Sequence, residues 1–200
     1  MTLVAVTQRV AVEPRHGERR DCLDQAWTRF LLACGLTPMP APNQQEAALA
    51  LCTTAPVAGI VLTGGNELAA YGGDAPERDA TEGALIDLAA RRGWPVLGVC
   101  RGMQMIQERF GIALKRVAGH VAPRQSIAIE GRPQEVNSYH DFGATGTSPP
   151  LDVWAVAADG VVKAVRHESG RMTGIMWHPE RLDPFAPRDI ALFRRFFGSG

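Results

Sequence analysis

Two short segments, far apart in the chain, hold the residue types that acyl-transfer chemistry needs. In PVLGVCRGMQMIQERFG an apolar run stops at Gly98-Val99-Cys100-Arg101-Gly102, and Met103, Ile106, Gln107 and Phe110 continue at helical spacing. The pattern predicts a strand, a sharp turn and a helix with Cys100 at the apex. Small flanking residues are what a nucleophile held in a strained turn requires. At a helix start the macrodipole and the free N–H groups favour thiolate over thiol. The N–H of Arg101 is then one donor to the oxyanion that forms when a nucleophile attacks a carbonyl, and losing such a donor costs on the order of 3 kcal/mol. Gly64 or Gly65, closing the run AGIVLTGG, is the expected second donor. By itself G-x-C-x-G reads equally well as tight strand-to-helix packing around an inert thiol.

The second segment, TGIMWHPE, ends an apolar strand in His178-Pro179-Glu180. On an extended chain residues two apart share a side, so His178 and Glu180 face the same way across a rigid proline. A thiol nucleophile needs an imidazole to take its proton and return it to the leaving amine, and the imidazole needs a carboxylate on its other nitrogen. No other histidine is followed by Pro-Glu; His16 and His167 read as solvated loop residues.

These groups need a scaffold. Val- and Ile-rich runs at Leu3–Val6, Ala58–Leu62 and Pro95–Val99 alternate with stretches of helical period, the signature of a parallel sheet with crossover helices. Leu23, Trp27, Phe30, Leu31 and Cys34 predict a helix over Arg20–Cys34, ended by Gly35. A second helix is expected to begin at Asp79, with Glu82 completing a capping-box pair. Between about Ala118 and Val165, the runs SIAIE, PQEVNSYH, VWAVA and VVKAVRH predict antiparallel strands. Ala186–Phe197 reads as a final amphipathic helix. Cys22, Cys34 and Cys52 lack C-x-x-C spacing and read as small buried hydrophobes.

The 200 residues fit one α/β domain, with 46% hydrophobic and 21% charged residues. Lys plus Arg and Asp plus Glu both number 21, so no net field selects nucleic acid or an anionic membrane surface. No stretch reaches the roughly 18 apolar residues of a membrane span, and the N-terminus lacks a signal-peptide pattern. A cytoplasmic protein is expected.

With GVCRGMQ and WHPE together, the chain resembles the class I glutamine amidotransferase-like superfamily, and within it the stand-alone γ-glutamyl hydrolases of the peptidase C26 type. The order Cys, then His-x-Glu, matches. An α/β-hydrolase would put its acid before its histidine. The resemblance implies a three-layer, flavodoxin-like α/β fold: a mostly parallel sheet flanked by helices, with a small antiparallel sheet. It implies Cys100 as nucleophile, His178 as base, Glu180 as its orienter, and Gly65 and Arg101 as oxyanion donors. Substrate binding falls to Gly64, Asn66, Glu67, Gln104, Asn137, Ser138, Tyr139 and His140. Glu67 stands where Asp is usual, and keeps an acid for the glutamyl α-amino group. No metal and no organic cofactor are implied.

A narrower resemblance, carried by VTQRV, GGNELAAYGGDAPERD, VNSYHDFG and WHPER, is to enzymes of surface-polysaccharide clusters that hydrolyse γ-glutamyl-CDP-amidate. It implies a small γ-glutamyl substrate linked to a nucleotide; Gln8 and Arg9 follow the first strand, at the edge where α/β proteins bind ligands, and read equally well as contacts to the nucleotide or as a solvated turn. A γ-glutamyl-γ-aminobutyrate hydrolase is the alternative within the family. A glutaminase subunit serving a separate synthetase chain, a homodimer, and a non-enzymatic redox sensor built on the elbow cysteine also stay open.

Overall fold

A computed structural model describes residues 1–198. Along the chain the elements are β1 (Thr2–Val6), β2 (Arg9–Val12), β3 (Arg19–Cys22), α1 (Gln25–Ala33), β4 (Leu36–Pro40), α2 (Gln45–Thr54), β5 (Ile60–Leu62), α3 (Pro76–Arg92), β6 (Val96–Val99) and α4 (Arg101–Arg109). They continue with β7 (Lys115–Arg116), β8 (Val121–Ile129), β9 (Arg132–Tyr139), β10 (Phe142–Gly143), β11 (Leu151–Ala157), β12 (Val162–His167), β13 (Met172–Ile175) and α5 (Pro187–Phe197). A 3-10 turn, Pro179–Arg181, lies between β13 and α5.

Nine strands form one sheet in the order β4-β1-β5-β6-β13-β12-β11-β8-β9. Neighbours from β4 to β13 run parallel, and those from β13 to β9 antiparallel. The expected α/β layering is present. The antiparallel strands extend the central sheet, while two small two-stranded sheets, β2–β3 and β7–β10, stand beside it.

Strand alternation sorts the core into two layers. Val4, Val6, Val61, Leu97 and Val99 pack with Trp27, Phe30 and Leu31 of α1 and Phe193 and Phe197 of α5. Ala5, Ile60, Leu62 and Val96 pack on the other face with α2, α3 and α4 through Ala48, Leu85, Ala89, Met103 and Ile106. The segment carrying Cys100 thus begins on a strand buried from both sides.

Two helix starts differ from the sequence expectation. α1 begins at Gln25 because Asp24 caps it, accepting the Ala26 N–H at 2.9 Å, while Arg19–Cys22 pairs with β2. Cys22 therefore ends a strand and is half-buried. α3 begins at Pro76, where proline at the first position sacrifices no intrahelical bond. Asp79 and Glu82 form no capping box: Asp79 accepts the N–H of Ala69 at 2.8 Å, and Glu82 is buried in an ionic cluster. Cys34 and Cys52 are buried as expected, and burial pushes the Cys34 thiol up to about 12.

Candidate active site

Cys100 follows β6 directly and has φ 54° and ψ −107°, a left-handed conformation that a side chain rarely adopts. Its N–H donates to the Ile175 carbonyl of the neighbouring parallel strand at 2.7 Å, which pins the apex. The flanking glycines are obligatory for steric reasons. A Cβ on Gly102 would lie 2.2 Å from the Leu62 carbonyl oxygen, and one on Gly98 2.4 Å from the Gly102 carbonyl. The thiol is 6% exposed, and its sulfur lies 3.8 Å from the Tyr139 carbonyl.

His178 and Glu180 meet the thiol from the end of β13. The strand stops at Ile175, so the pair is joined by the 3-10 turn and not by the extended chain the sequence suggested. The turn brings Glu180 Oε1 to 2.8 Å from His178 Nδ1. Both side chains are buried, and Nε2 of His178 has no hydrogen-bond partner in the protein. Burial disfavours the imidazolium, but the charges at Cys100 and Glu180 outweigh it and raise the pKa to about 9. Gly64 is packed against this pair: a Cβ there would meet His178 Cε1 at 2.7 Å and Cys100 Cβ at 3.6 Å.

Arg101 Nη1 and Nη2 reach Glu82 and Asp79, and Arg78 Nε reaches Glu82 at 2.9 Å. Thr7 also donates to Glu82, at 2.8 Å. Arg78 extends the cluster to the glycine loop, donating to the carbonyls of Thr63 at 2.8 Å and Gly65 at 2.5 Å. Burial alone would raise the Glu82 pKa, yet Arg101 and Arg78 hold it below the usual carboxylate range. One ionised carboxylate therefore ties the loop bearing Gly64 and Gly65 to the first residue of α4. Gly65 has φ +84°, and the first N–H groups of α4 lack intrahelical acceptors. Thiol, imidazole and carboxylate thus meet beside Gly64 and the start of α4, an arrangement suited to nucleophilic attack on a carbonyl with proton return to the leaving group.

Several candidate ligands have other duties. Asn137 clamps the His178 backbone, accepting its N–H at 2.7 Å and donating to its carbonyl at 2.8 Å. Asn66, with φ 52°, does the same for Val10, at 2.8 and 2.9 Å. The Ser138 hydroxyl and both His140 nitrogens are engaged inside the protein. What this segment turns to the thiol is backbone, together with the partly exposed Tyr139, over which Arg181 stacks at 5.0 Å. Gln104 is buried and donates to Phe142 O at 2.9 Å. Glu67 is half-buried; burial and Asp141 raise its pKa, against Arg101 and Arg116. Gln8 donates to Ala41 O at 3.0 Å, and the Arg9 side chain lies over Gly65.

Sequence reasoning missed Arg78, Thr7, Glu82 and Lys163. Arg78 and Glu82, four apart on one helix face, were a readable pair. Lys163, a lone cation inside the apolar run VVKAV, was the signal for a buried charge. Among the described residues, no group of three or more His, Cys, Asp or Glu could hold a metal, and no helix is long and apolar enough to cross a membrane.

The Peptidase C26 family model matches residues 2–126 and 124–180, spanning the elbow and the His-x-Glu turn. The chain belongs to the Peptidase C26 family. A relative in this setting is the γ-glutamyl-CDP-amidate hydrolase of Campylobacter jejuni, 27% identical over 183 residues, which cover 89% of this chain and 90% of that one. Two solved structures share the fold. A GMP synthase subunit from Thermoplasma acidophilum superposes with TM-score 0.73 at 19% identity, over 99% of this chain and 93% of its own. A chain of PurLQS from Thermotoga maritima gives 0.69 at 17%, over 97% of each. Family and fold together support a hydrolase or amidotransferase-type enzyme of the glutamine amidotransferase-like group.

Proposed function

We propose that this family member hydrolyses a γ-glutamyl amide through a thioester on Cys100. The observation that carries the reading is the series of a strained cysteine, a buried imidazole whose Nε2 has no other partner, and a carboxylate 2.8 Å from Nδ1. With its pKa raised to about 9, against burial, by Cys100 and Glu180, His178 holds a proton at neutral pH that it can give to a leaving nitrogen.

The thiolate attacks the γ-carbonyl carbon, and the N–H groups of Arg101 and Gly65 take the charge that grows on its oxygen. His178 protonates the leaving nitrogen as the C–N bond breaks, leaving the thioester and a neutral imidazole. A water molecule then gives a proton to His178 and its oxygen to the acyl carbon. The C–S bond breaks, the γ-carboxyl group of glutamate loses its proton to solvent, and thiolate and imidazolium are restored. Glu180 holds the tautomer throughout. Glu67 is assigned to the glutamyl α-amino group, Gln104 and Gly64 to the glutamyl chain, and the Ser138–His140 backbone to the α-carboxylate.

For the leaving group we infer a nucleotide amidate, on the strength of the Campylobacter jejuni relative, which matches nearly end to end. The products are then glutamate and cytidine diphosphoramidate, released in the cytoplasm for surface-polysaccharide modification. A second reading, a glutaminase subunit feeding a synthetase chain, draws on the fold likeness to PurLQS.

The test is glutamate release from γ-glutamyl-CDP-amidate, γ-glutamyl-γ-aminobutyrate and glutamine, with Cys100→Ala alongside. The nucleotide amidate is expected to give the highest kcat/KM, and the variant to lose roughly 10³-fold or more. Glutamine turnover only in the presence of an added synthetase would favour the glutaminase reading. An active Cys100→Ala would sink both.

A further inference from the structure

Behind the strand end that borders the thiol lies a buried cation that the mechanism above does not use. Lys163, near the start of β12, is 1% exposed. Its ammonium donates to Ser138 Oγ at 2.9 Å and to His140 Nε2 at 2.7 Å. The direction of these bonds is fixed by the acceptors' other contacts. The Ser138 hydroxyl donates to the His120 carbonyl at 2.8 Å, and His140 Nδ1 donates to the Phe142 carbonyl at 2.8 Å. Both therefore present lone pairs to Lys163, and His140 stays neutral, its pKa pushed down to about 3 by burial and by Lys163 itself.

Every ionisable group around this ammonium can be named. His140 comes from the end of β9. His120, from the loop before β8, stacks on His140 at 5.0 Å and bonds to the exposed Asp159 at 2.9 Å. Cys100 comes from the elbow, with His178 beyond it. No ion pair among the described residues includes Lys163. A buried ammonium costs several kcal/mol unless an anion compensates it, and two neutral acceptors do so only in part. Burial lowers the Lys163 pKa, against which Asp159 and Cys100 act; the exposed Asp159 is screened by solvent, whereas the Cys100 side chain is buried. Tyr139, between the two residues Lys163 holds, turns its carbonyl to the Cys100 sulfur at 3.8 Å.

We propose that Lys163 is a positioning residue and the buried counter-cation of the Cys100 site: its ammonium braces Ser138 and His140 behind the thiol and favours thiolate over thiol. The proposal rests on the reading of Cys100 as the nucleophile. His178 moves the proton; Lys163 supplies fixed charge and takes part in no transfer.

The experiment is the pH dependence of Cys100 alkylation by iodoacetamide in the intact protein, followed by mass spectrometry of the Cys100 peptide. Lys163→Met, close in length and uncharged, should move the midpoint to higher pH by about one unit, with alkylation below it slowed up to tenfold. Lys163→Arg should recover part of the shift. A profile for folded Lys163→Met that superimposes on the wild type overturns the proposal, even if its melting temperature falls.

Because coupling is reciprocal, a second measurement needs no Lys163 variant. The Lys163 ammonium, brought down by burial to about 8, should titrate lower still in Cys100→Ala when followed by carbon-detected NMR of labelled lysine. An unchanged midpoint overturns the proposal as well. Glutamate release by Cys100→Ala would instead refute the nucleophile reading, so the two failures are distinguishable.

Discussion

On the α3 side of Cys100 two arginines meet two carboxylates; on the β12 side one ammonium meets a hydroxyl and a neutral imidazole. The first cluster, Arg78, Glu82, Arg101 and Asp79, closes on itself, with every charge answered within hydrogen-bond reach. The second, Lys163 with Ser138 and His140 on either side of the residue whose carbonyl meets the thiol, leaves a positive charge with no anion in hydrogen-bond contact. A closed cluster fixes geometry and shields its own field, because its charges cancel at short range. An open one does the reverse: it holds its neighbours by weaker bonds and projects its charge onto the nucleophile. The closed cluster sets the glycine loop against α4, and on the reading proposed above the open one acts on the thiol.

The contrast can be broken most severely at Glu82. Glu82→Gln leaves two buried arginines without their shared anion, and denaturant unfolding should register a loss of roughly 3–5 kcal/mol. Lys163→Met, at an equally buried position, should change stability by no more than about 1 kcal/mol, since it removes an unanswered charge along with two hydrogen bonds. Equal losses in the two variants would show that the clusters do not differ in kind.

Asn137→Ala separates positioning from charge. It alters neither cluster but frees the His178 backbone, so kcat should fall about tenfold with little change in KM, measured by glutamate release.

The smallest expected effect is on the pH dependence of stability. The folded pKa of His178 lies above the ordinary imidazole value near 6.5, so the stability it contributes is fully present below that pH. It is lost as pH rises through about 9. Melting temperature should therefore decline over this window, and decline less in Cys100→Ala, which removes one of the two charges responsible. An identical decline in both proteins would assign the effect to Glu180 alone.

How much of this was legible beforehand depended on range. The elbow was readable because a strand-turn-helix pattern announces itself in a dozen residues, although the carbonyl that forbids a side chain at Gly102 belongs to Leu62, on another strand. The His-x-Glu pair was readable for the same reason, although a 3-10 turn and not an extended chain closes its 2.8 Å contact. The strand runs foretold an α/β sheet, because alternation and apolar blocks reflect which faces are buried.

Helix starts were less legible, since Asp24 and Pro76 set them against a periodic pattern that ran past α1 or began late in α3. Asp79 and Glu82 fit a capping box by spacing, yet bonding partners at Thr7, just after β1, at Ala69 and at Arg101 of α4 drew them elsewhere. Sequence alone thus determined the turn at Cys100, the His-x-Glu pair and the layered fold, all written in short patterns along the chain. The roles of Asn137, Glu82 and Lys163 were decided only by tertiary structure, because a buried polar group is defined by the partner it meets, and those partners lie 41, 19 and 25 residues away.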